Sequence, residues 1–213
     1  LYQKLDSMVM VSATLAIEEK FEHFIEKCGL APLANDGRLN TLLEKSPFAY
    51  EKQAILYTVE DMPDPSSPLF TEQVAGLLPG IFSSAGSHSM VLFTSKKQLR
   101  EVSKYIRPWC EKNGIKLLVQ YEDGEFGFLL DEYAGSNKAV LMGVETFWEG
   151  IDLKGELLEC VVIVKLPFRS PSDPFCCAGD KYYKMLKKNS FRHFMLPDAA
   201  VRFKQGIGRL IRS

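Results

Sequence analysis

The middle of the chain alternates short, almost wholly apolar runs with longer amphipathic stretches, and this rhythm constrains the fold more than any other feature. Runs with few polar positions are typical of strands that are buried on both faces. Such strands, separated by helices, predict a parallel sheet that is covered by helices on both sides. The four runs are residues 90–94, 115–119, 139–142 and 160–166. The expected fold class is therefore α/β.

Helical periodicity occupies the segments between and after these runs. The predicted helices cover residues 69–82, 95–110, 126–133, 173–188 and 198–212. Ser95 with Gln98 fits a capping box, in which each side chain bonds a backbone N–H at the start of a helix.

The first third of the chain is less regular. Apolar, partly β-branched runs predict strands at residues 7–13 and 53–59. Thr14 is a candidate N-cap for a helix that runs to about Cys28, and Gly29 fits the end of that helix. Residues 30–50 carry no clear pattern.

Composition favours a soluble globular protein. The chain has 213 residues, of which 46% are hydrophobic and 25% charged. No apolar run approaches the length of a membrane span, so no membrane partner is expected. Because the first residue is Leu, we expect the chain to be a piece of a longer protein.

Cysteine usage argues against several kinds of site. The chain has five cysteines and no Cys-x-x-Cys, which speaks against a disulfide framework, a zinc site or an iron–sulfur cluster in this piece. We therefore expect no bound metal. Free thiols are typical of a reducing compartment, so the predicted location is the cytoplasm.

Charge is distributed unevenly along the chain. The net charge is −1, yet residues 161–213 hold 11 Lys and Arg against 3 Asp and Glu. A basic segment on an acidic body favours phosphate-bearing ligands. A solvated helix surface that carries Lys184, Lys187 and Lys188 would explain the same numbers.

The end of the chain carries two arginines with helical spacing. Gln205, Arg209 and Arg212 stand at i, i+4 and i+7, so they share one face of a helix. Two guanidinium groups one turn apart suit phosphate oxygens. Gly206 and Gly208 each lower the stability of a helix interior by about 1 kcal/mol relative to alanine. Glycines retained at such a cost are typical of a helix whose backbone lies very close to a ligand or to another part of the protein. The alternative is an ordinary amphipathic helix with a solvated polar face.

Polar turns follow two of the predicted strands. Thr94 and Ser95 come after residues 90–93, and Glu149, Gly150 and Asp152 come after residues 139–142. In parallel α/β sheets, ligands bind beyond the carboxyl ends of the strands. The sequence therefore predicts a polar site at this edge of the sheet.

Five segments, in chain order, resemble motifs of the second motor domain of a superfamily 2 helicase of the DinG/XPD type. They cover nearly the whole chain. The segments are Ser12–Thr14 (motif III), Val91–Ser95 (motif IV), Phe147–Asp152 (motif V), Lys165–Phe168 (the Leu-Pro-Phe segment) and Gln205–Arg212 (motif VI).

This resemblance implies a RecA-like fold that lacks its own Walker A phosphate loop. Residues 1–15 would be the end of the first motor domain or a linker. Residues 16–213 would form the second RecA-like domain, with a helical excursion at about residues 173–196.

The resemblance also implies roles at the nucleotide. Arg209 and Arg212 would act catalytically as arginine fingers on ATP that the first motor domain holds. A second group would contact nucleotide or couple its state to domain closure. That group comprises Gln205, Glu149, Gly150, Asp152, Ser12 and Thr14.

A further set of residues would contact nucleic acid. Thr94, Ser95 and Thr146 would bind its backbone. Trp148 would stack on a base, or would be a core or interdomain aromatic residue. Lys165 and Arg169 would follow the phosphates, or would simply be solvated.

The implied function is the C-terminal motor half of an ATP-dependent DNA helicase in DNA repair or recombination. Its partners would be the first motor domain of the same parent and single-stranded or forked DNA. Its cofactors would be ATP and Mg²⁺ in the parent. The alternatives are a non-motor nucleic-acid-binding or interaction module of the same fold, and the helicase-like half of a nuclease fusion.

The chain alone is expected to bind no cofactor and to be inactive. It has no Gly-x-x-x-x-Gly-Lys-Ser/Thr and no Asp-Glu-x-His. Asp131 and Glu132 follow an apolar run and mimic a magnesium-binding pair, but we interpret them as part of a helix surface.

Overall fold

Four parallel strands form the sheet that the apolar runs predict. The strands are β1 (His88–Leu92), β2 (Lys116–Val119), β3 (Ala139–Gly143) and β4 (Cys160–Ile163), in the order β2-β3-β1-β4. In the register, Met90 of β1 lies beside Leu141 of β3 and Val161 of β4. The computed structural model describes residues 5–44, 46, 48–144, 147, 157–208 and 210. Within these residues, the expected α/β class is confirmed.

Helices cover both faces of this sheet. Successive strand side chains point to opposite faces, and both faces are apolar. Val91, Val119 and Met142 pack in one cluster with helices α4 (Phe70–Ser84) and α5 (Lys96–Lys112). A second cluster joins the opposite strand face to α6 (Phe126–Ala134) through Leu129 and Tyr133. The strand residues in that cluster are Met90, Leu92, Leu118, Ala139 and Leu141.

Gly86 shows why the turn before β1 requires glycine. Its φ is +77°, and a Cβ atom there would collide with the carboxylate of Glu159. That carboxylate accepts hydrogen bonds from the backbone N–H groups of Ser87 and His88. The close approach therefore fixes the start of β1 against the residue that precedes β4.

Ser95 caps α5 as the sequence predicts, but the other half of the capping box is not formed. The Ser95 hydroxyl oxygen accepts a hydrogen bond from the Gln98 backbone N–H at 3.3 Å. The Gln98 amide nitrogen donates to the Thr71 hydroxyl at 3.3 Å, and its side-chain oxygen has no hydrogen-bond partner among the described residues. The helix continues past the predicted end to Lys112, with Pro108 inside it.

We expect Ser95→Ala to lower the free energy of unfolding by about 1 kcal/mol, because an N-terminal N–H loses its acceptor. Ser95→Asp should retain most of the stability, since aspartate caps equally well. Urea unfolding followed by circular dichroism measures both. Ser84→Ala, at an exposed position of α4, is the control and should change stability by less than about 0.5 kcal/mol. Equal losses in the two alanine variants would contradict the capping role.

The chain divides into two compact units, and the sheet lies in the unit formed by Pro47–Phe168 and Arg202–Ser213. This unit also contains the short helix α3 (Tyr50–Gln53). The other unit is formed by Leu1–Ser46 and Arg169–Val201. The predicted boundary between residues 15 and 16 stays a prediction.

Helices make up the regular structure of that second unit. They are α1 (Glu22–Lys27), α2 (Ala31–Asn35), α7 (Pro174–Met185), a π-helical turn (Phe191–Met195) and the first part of α8 (Leu196–Ile207). Asp173 caps α7 by accepting from the backbone N–H groups of Phe175 and Cys176. Buried Cys176, Tyr183 and Phe194 form a small core.

Two predicted strands and one predicted helix start are wrong. Residues 7–13 and 53–59 form no strand, and Val9, Val11, Ile55 and Leu56 are among their exposed side chains. The first helix begins at Glu22 rather than near Thr14. Glu18 and Glu19 have φ of 50° and 62° in a tight turn that brings Ile17 to Lys20, and such angles cannot continue a helix.

Candidate functional site

Because the four strands are parallel, the segments that follow them all begin at the carboxyl edge of the sheet. Phe93 extends β1 by one more bond, because its N–H donates to the Gly143 carbonyl at 2.8 Å. Phe93 is fully buried, whereas the next residue, Thr94, is exposed. Because Phe93 is fixed by this bond and by burial, it holds the exposed Thr94 at the carboxyl edge of the sheet. Ser95 lies beside it, with its hydroxyl oxygen engaged in the helix cap.

Gln120 braces the ends of β2 and β3, a role that the sequence analysis missed. Its side-chain oxygen accepts from the Val144 N–H at 2.7 Å, and its own N–H donates to the Met142 carbonyl. Gln120 is buried. It therefore positions the start of the loop that leads into the motif V segment. A polar residue directly after an apolar strand was the available signal.

The turn after Gln120 contains a residue, Tyr121, whose backbone conformation is unusual for a residue other than glycine. Tyr121 has φ of 71° and is 46% exposed. The Lys96 ammonium nitrogen lies 4.5 Å from the centroid of its ring. This contact joins the turn after β2 to the loop that carries Thr94 and Ser95.

Lys165 follows β4 and packs against the loop before α4. Its ammonium donates to the Pro65 carbonyl at 2.9 Å and lies 4.9 Å from the centroid of the Phe70 ring. The side chain is thus held in place rather than freely solvated, which was the alternative in the sequence analysis. Its contact with nucleic acid stays a prediction.

Gln205 lies on α8, and its side-chain oxygen is buried without a hydrogen-bond partner among the described residues. A buried acceptor of this kind is costly unless a donor reaches it. Several other predicted site residues lie outside the described residues. They are Glu149, Gly150, Asp152, Thr146, Trp148, Arg209 and Arg212.

Ser12 and Thr14, in the other unit, bond to each other. Their hydroxyl oxygens are 3.2 Å apart, and the Thr14 N–H donates to the Ser12 oxygen at 3.2 Å. The pair forms a local turn around Ala13. Its proposed coupling role stays a prediction.

Arg169 takes part in a charged cluster within the same unit. Its Nε donates to one oxygen of Asp198 at 2.9 Å, while the Lys27 ammonium donates to the other oxygen at 2.9 Å. Both cations also lie over the Phe175 ring, at 5.0 and 5.2 Å from its centroid. The arrangement gives Arg169 a structural partner, and its contact with nucleic acid stays a prediction.

Asp198, which the sequence analysis did not single out, is the centre of this cluster. Burial opposes its charged form, but hydrogen bonds and charge from Lys27 and Arg169 outweigh burial and lower the pKa of the carboxyl. Asp198 stands in the first turn of α8, where a negative charge also suits the helix dipole. It anchors the start of the helix that carries Gln205.

His23 lies beside this cluster. Burial, and then the charge of Lys27, lowers the pKa of its imidazole. The backbone of His193 and the charges of Asp198 and Glu26 act in the opposite direction but do not outweigh these two causes. In the part of the chain that the structure describes, no three His, Cys, Asp or Glu side chains are grouped so as to hold a metal ion.

A sequence comparison identifies the family. Residues 79–213 match the family described as the helicase C-terminal domain, and this range includes every strand of the sheet. The chain belongs to this family. Its resemblance to DinG/XPD-type second motor domains is thereby confirmed.

Curated relatives match this helicase C-terminal domain over essentially the whole chain. The 3'-5' exonuclease DinG of Bacillus subtilis is 35% identical over 100% of the chain and 23% of its own length. The ATP-dependent DNA helicase YoaA of Escherichia coli is 33% identical over 99% of the chain and 31% of its own length. The chain thus spans between about a quarter and a third of these relatives.

A solved structure supports the fold. An XPD helicase matches with a TM-score of 0.55 and 24% identity, over 73% of this chain and 28% of that one. This likeness confirms the RecA-like sheet expected for a helicase C-terminal domain. No helix in the described ranges combines the length and apolar character needed to cross a bilayer.

Proposed function

We propose that this helicase C-terminal domain is the second motor half of an ATP-dependent DNA helicase. It would supply Arg209 and Arg212 to ATP and Mg²⁺ bound by a first motor domain, and it would contact single-stranded or forked DNA. The family match, together with a sheet whose carboxyl edge presents Thr94, carries the proposal. The absence of a phosphate loop from the sequence supports a partner domain.

The physical basis is phosphoryl transfer between two lobes. Negative charge spreads over the γ-phosphate oxygens in the transition state, and arginines supplied by a second lobe stabilise it. Gln205, whose buried oxygen lacks a donor among the described residues, would bond nucleotide or the coupling network. Glu149, Gly150 and Asp152, with Ser12 and Thr14, would complete that network.

At the nucleic acid, the domain would bind mainly phosphate. Thr94, Ser95 and Thr146 would contact the backbone, with Trp148, Lys165 and Arg169 as further contacts. Binding of this kind shows little sequence preference and strong salt dependence.

A second candidate is favoured by one relative. Because the Bacillus subtilis protein is named a 3'-5' exonuclease, the second candidate for the parent of this chain is a helicase-like protein fused to a nuclease. The natural sequence around the chain distinguishes the candidates. A nuclease domain in that sequence supports the fusion. A phosphate loop and Asp-Glu-x-His upstream support the motor, and their absence supports the other alternative, a non-motor binding module.

Thr94→Ala tests the backbone contact. We expect single-stranded DNA binding by the full chain to weaken about three- to tenfold, because one hydrogen bond to a phosphate is lost. Fluorescence anisotropy with a labelled oligothymidylate at fixed salt measures the change. Thr58→Ala, exposed in the same unit, is the control and should bind like the unmodified chain. Equal binding by the two variants would remove Thr94 from the interface.

A further inference from the structure

Tyr121 combines a costly backbone conformation with an exposed ring. A φ of 71° is left-handed, and residues other than glycine adopt it at an energetic cost. Burial of the ring does not offset this cost, since 46% of the residue is exposed. Conformations of this kind cluster at functional sites, where neighbouring contacts hold them in place.

Those neighbouring contacts are present in the turn itself. The Asp123 carboxylate accepts from the Val119 N–H at 2.8 Å and from the Arg107 guanidinium at 3.0 Å. Glu122 lies 3.5 Å from the same guanidinium and accepts from the Ser103 hydroxyl. These bonds fasten the turn to α5 and hold the strained backbone of Tyr121 in place.

A row of cations runs from this ring along α5. Lys96, Arg100 and Lys104 stand at i, i+4 and i+8, and all three are exposed. Among the described residues, none of the three forms an ion pair. Like charges at this spacing destabilise a helix, and lysine in the first turn opposes the helix dipole. This row of charges therefore lowers the stability of α5. Residues that lower local stability in this way are expected at binding surfaces.

The nearby carboxylates do not neutralise the positive charges of Lys96, Arg100 and Lys104. Glu122 and Asp123 are paired with Arg107, and Glu101 lies 3.8 Å from Lys97. An exposed aromatic ring beside unpaired cations is the combination that binds single-stranded nucleic acids, through stacking and phosphate contacts.

We propose that Tyr121 stacks on a nucleobase of a single strand whose phosphates lie along Lys96, Arg100 and Lys104. The Lys96 ammonium, which covers the ring at 4.5 Å, would link the stacked base to the backbone contact at Thr94. This inference rests on the proposed function and adds a base contact to it. Because every base has a π-face, stacking here would tolerate any sequence.

Tyr121→Gly is the decisive variant. Glycine adopts φ near 71° without strain, so the ring is removed while the turn should fold at least as well. Tyr121→Phe keeps the ring and should keep binding. Tyr105→Ala is the matched control, because Tyr105 is 63% exposed but lies nine residues from Lys96, on the opposite side of α5.

The measurement is binding of the full chain to an oligothymidylate that carries one 2-aminopurine. We expect Tyr121→Gly to weaken binding about tenfold and to remove the fluorescence change caused by stacking. Tyr121→Phe and Tyr105→Ala should bind within about twofold of the unmodified chain. Replacing Arg100 and Lys104 together by alanine should reduce the slope of log affinity against log salt by about 1.4.

The outcomes separate the two proposals. If the unmodified chain binds no single-stranded DNA, both fail. If it binds and Thr94→Ala weakens binding but Tyr121→Gly does not, the stacking role fails and the backbone contact stands. Equal losses in Tyr121→Gly and Tyr105→Ala would also overturn stacking at Tyr121.

Discussion

Replacing Arg212 by alanine in the intact parent protein should lower ATP turnover by a factor of about 10³–10⁵, whereas affinity for DNA should change little. In the proposed arrangement, this guanidinium neutralises charge that develops only in the transition state. Its loss should therefore reduce kcat much more than it raises KM. Steady-state ATPase assays with saturating single-stranded DNA measure the first effect, and anisotropy measures the second.

Two further variants sharpen this test. Arg212→Lys keeps the charge but loses the planar fork that contacts two oxygens at once, so it should restore little activity. Lys204→Ala removes an exposed cation from α8 and should leave turnover nearly unchanged. Comparable turnover in the Arg212→Ala and unmodified proteins would refute the finger role. ATP turnover by this chain alone, at the rate of an intact helicase, would refute the need for a first motor domain.

The sheet could be predicted because its strands are buried on both faces. Met90, Val91 and Leu92 are fully buried, and their neighbours in the register are equally apolar. Short runs of this kind, separated by stretches with helical periodicity, are typical of strands in a parallel sheet. The N-cap serine at Ser95 adds a local signal that marks the residue before the start of α5.

The strands predicted at residues 7–13 and 53–59 are wrong because these apolar runs have no partner strand among the described residues. Val9 is 86% exposed and Leu56 is 75% exposed, although both lie in runs of strand-like composition. A strand requires a neighbour that supplies ladder hydrogen bonds, and composition does not show whether one exists. The turn at Glu18 and Glu19 was missed for a related reason, since glutamate is a good helix former and seldom adopts positive φ.

A residue's position at the carboxyl edge of the sheet could be predicted where chain order alone decides it, whereas the roles of the site residues stay predictions. Thr94 and Ser95 follow a buried strand, so topology places them at the carboxyl edge. The roles of Gln120 and Asp198 were missed because their partners are far away in the chain, although the position of Gln120 directly after an apolar strand was a usable signal. Asp198 bonds Lys27 and Arg169, which stand 171 and 29 residues from it.

Replacing Asp198 by asparagine should lower the free energy of unfolding by about 2 kcal/mol at pH 7. Breaking a fully buried ion pair costs about 3–5 kcal/mol. The loss here should be smaller, since the side chains of Lys27 and Arg169 are 36% and 27% exposed and can regain water. Urea unfolding of the full chain measures the difference. Glu44→Gln, at an exposed position of the same unit, is the control.

The dependence on pH identifies the cause of this loss. The pKa of Asp198 is lowered in the folded chain, so its carboxylate stabilises the fold at every pH above its unfolded pKa of about 4. That stabilisation disappears as the pH falls through the lower, folded pKa. The difference between the unmodified and Asp198→Asn chains should therefore shrink as the pH falls below about 4.

Other charged groups face the same carboxylate, so the two chains must be compared at each pH. His23, whose pKa is lowered mainly by burial, lies close enough to feel the charges of Lys27 and Asp198. Measuring both chains under identical conditions cancels the titrations that they share. A difference that stays constant down to pH 2 would show that Asp198 acts through packing rather than charge. The ion pairs with Lys27 and Arg169 would then not be what fixes the start of α8.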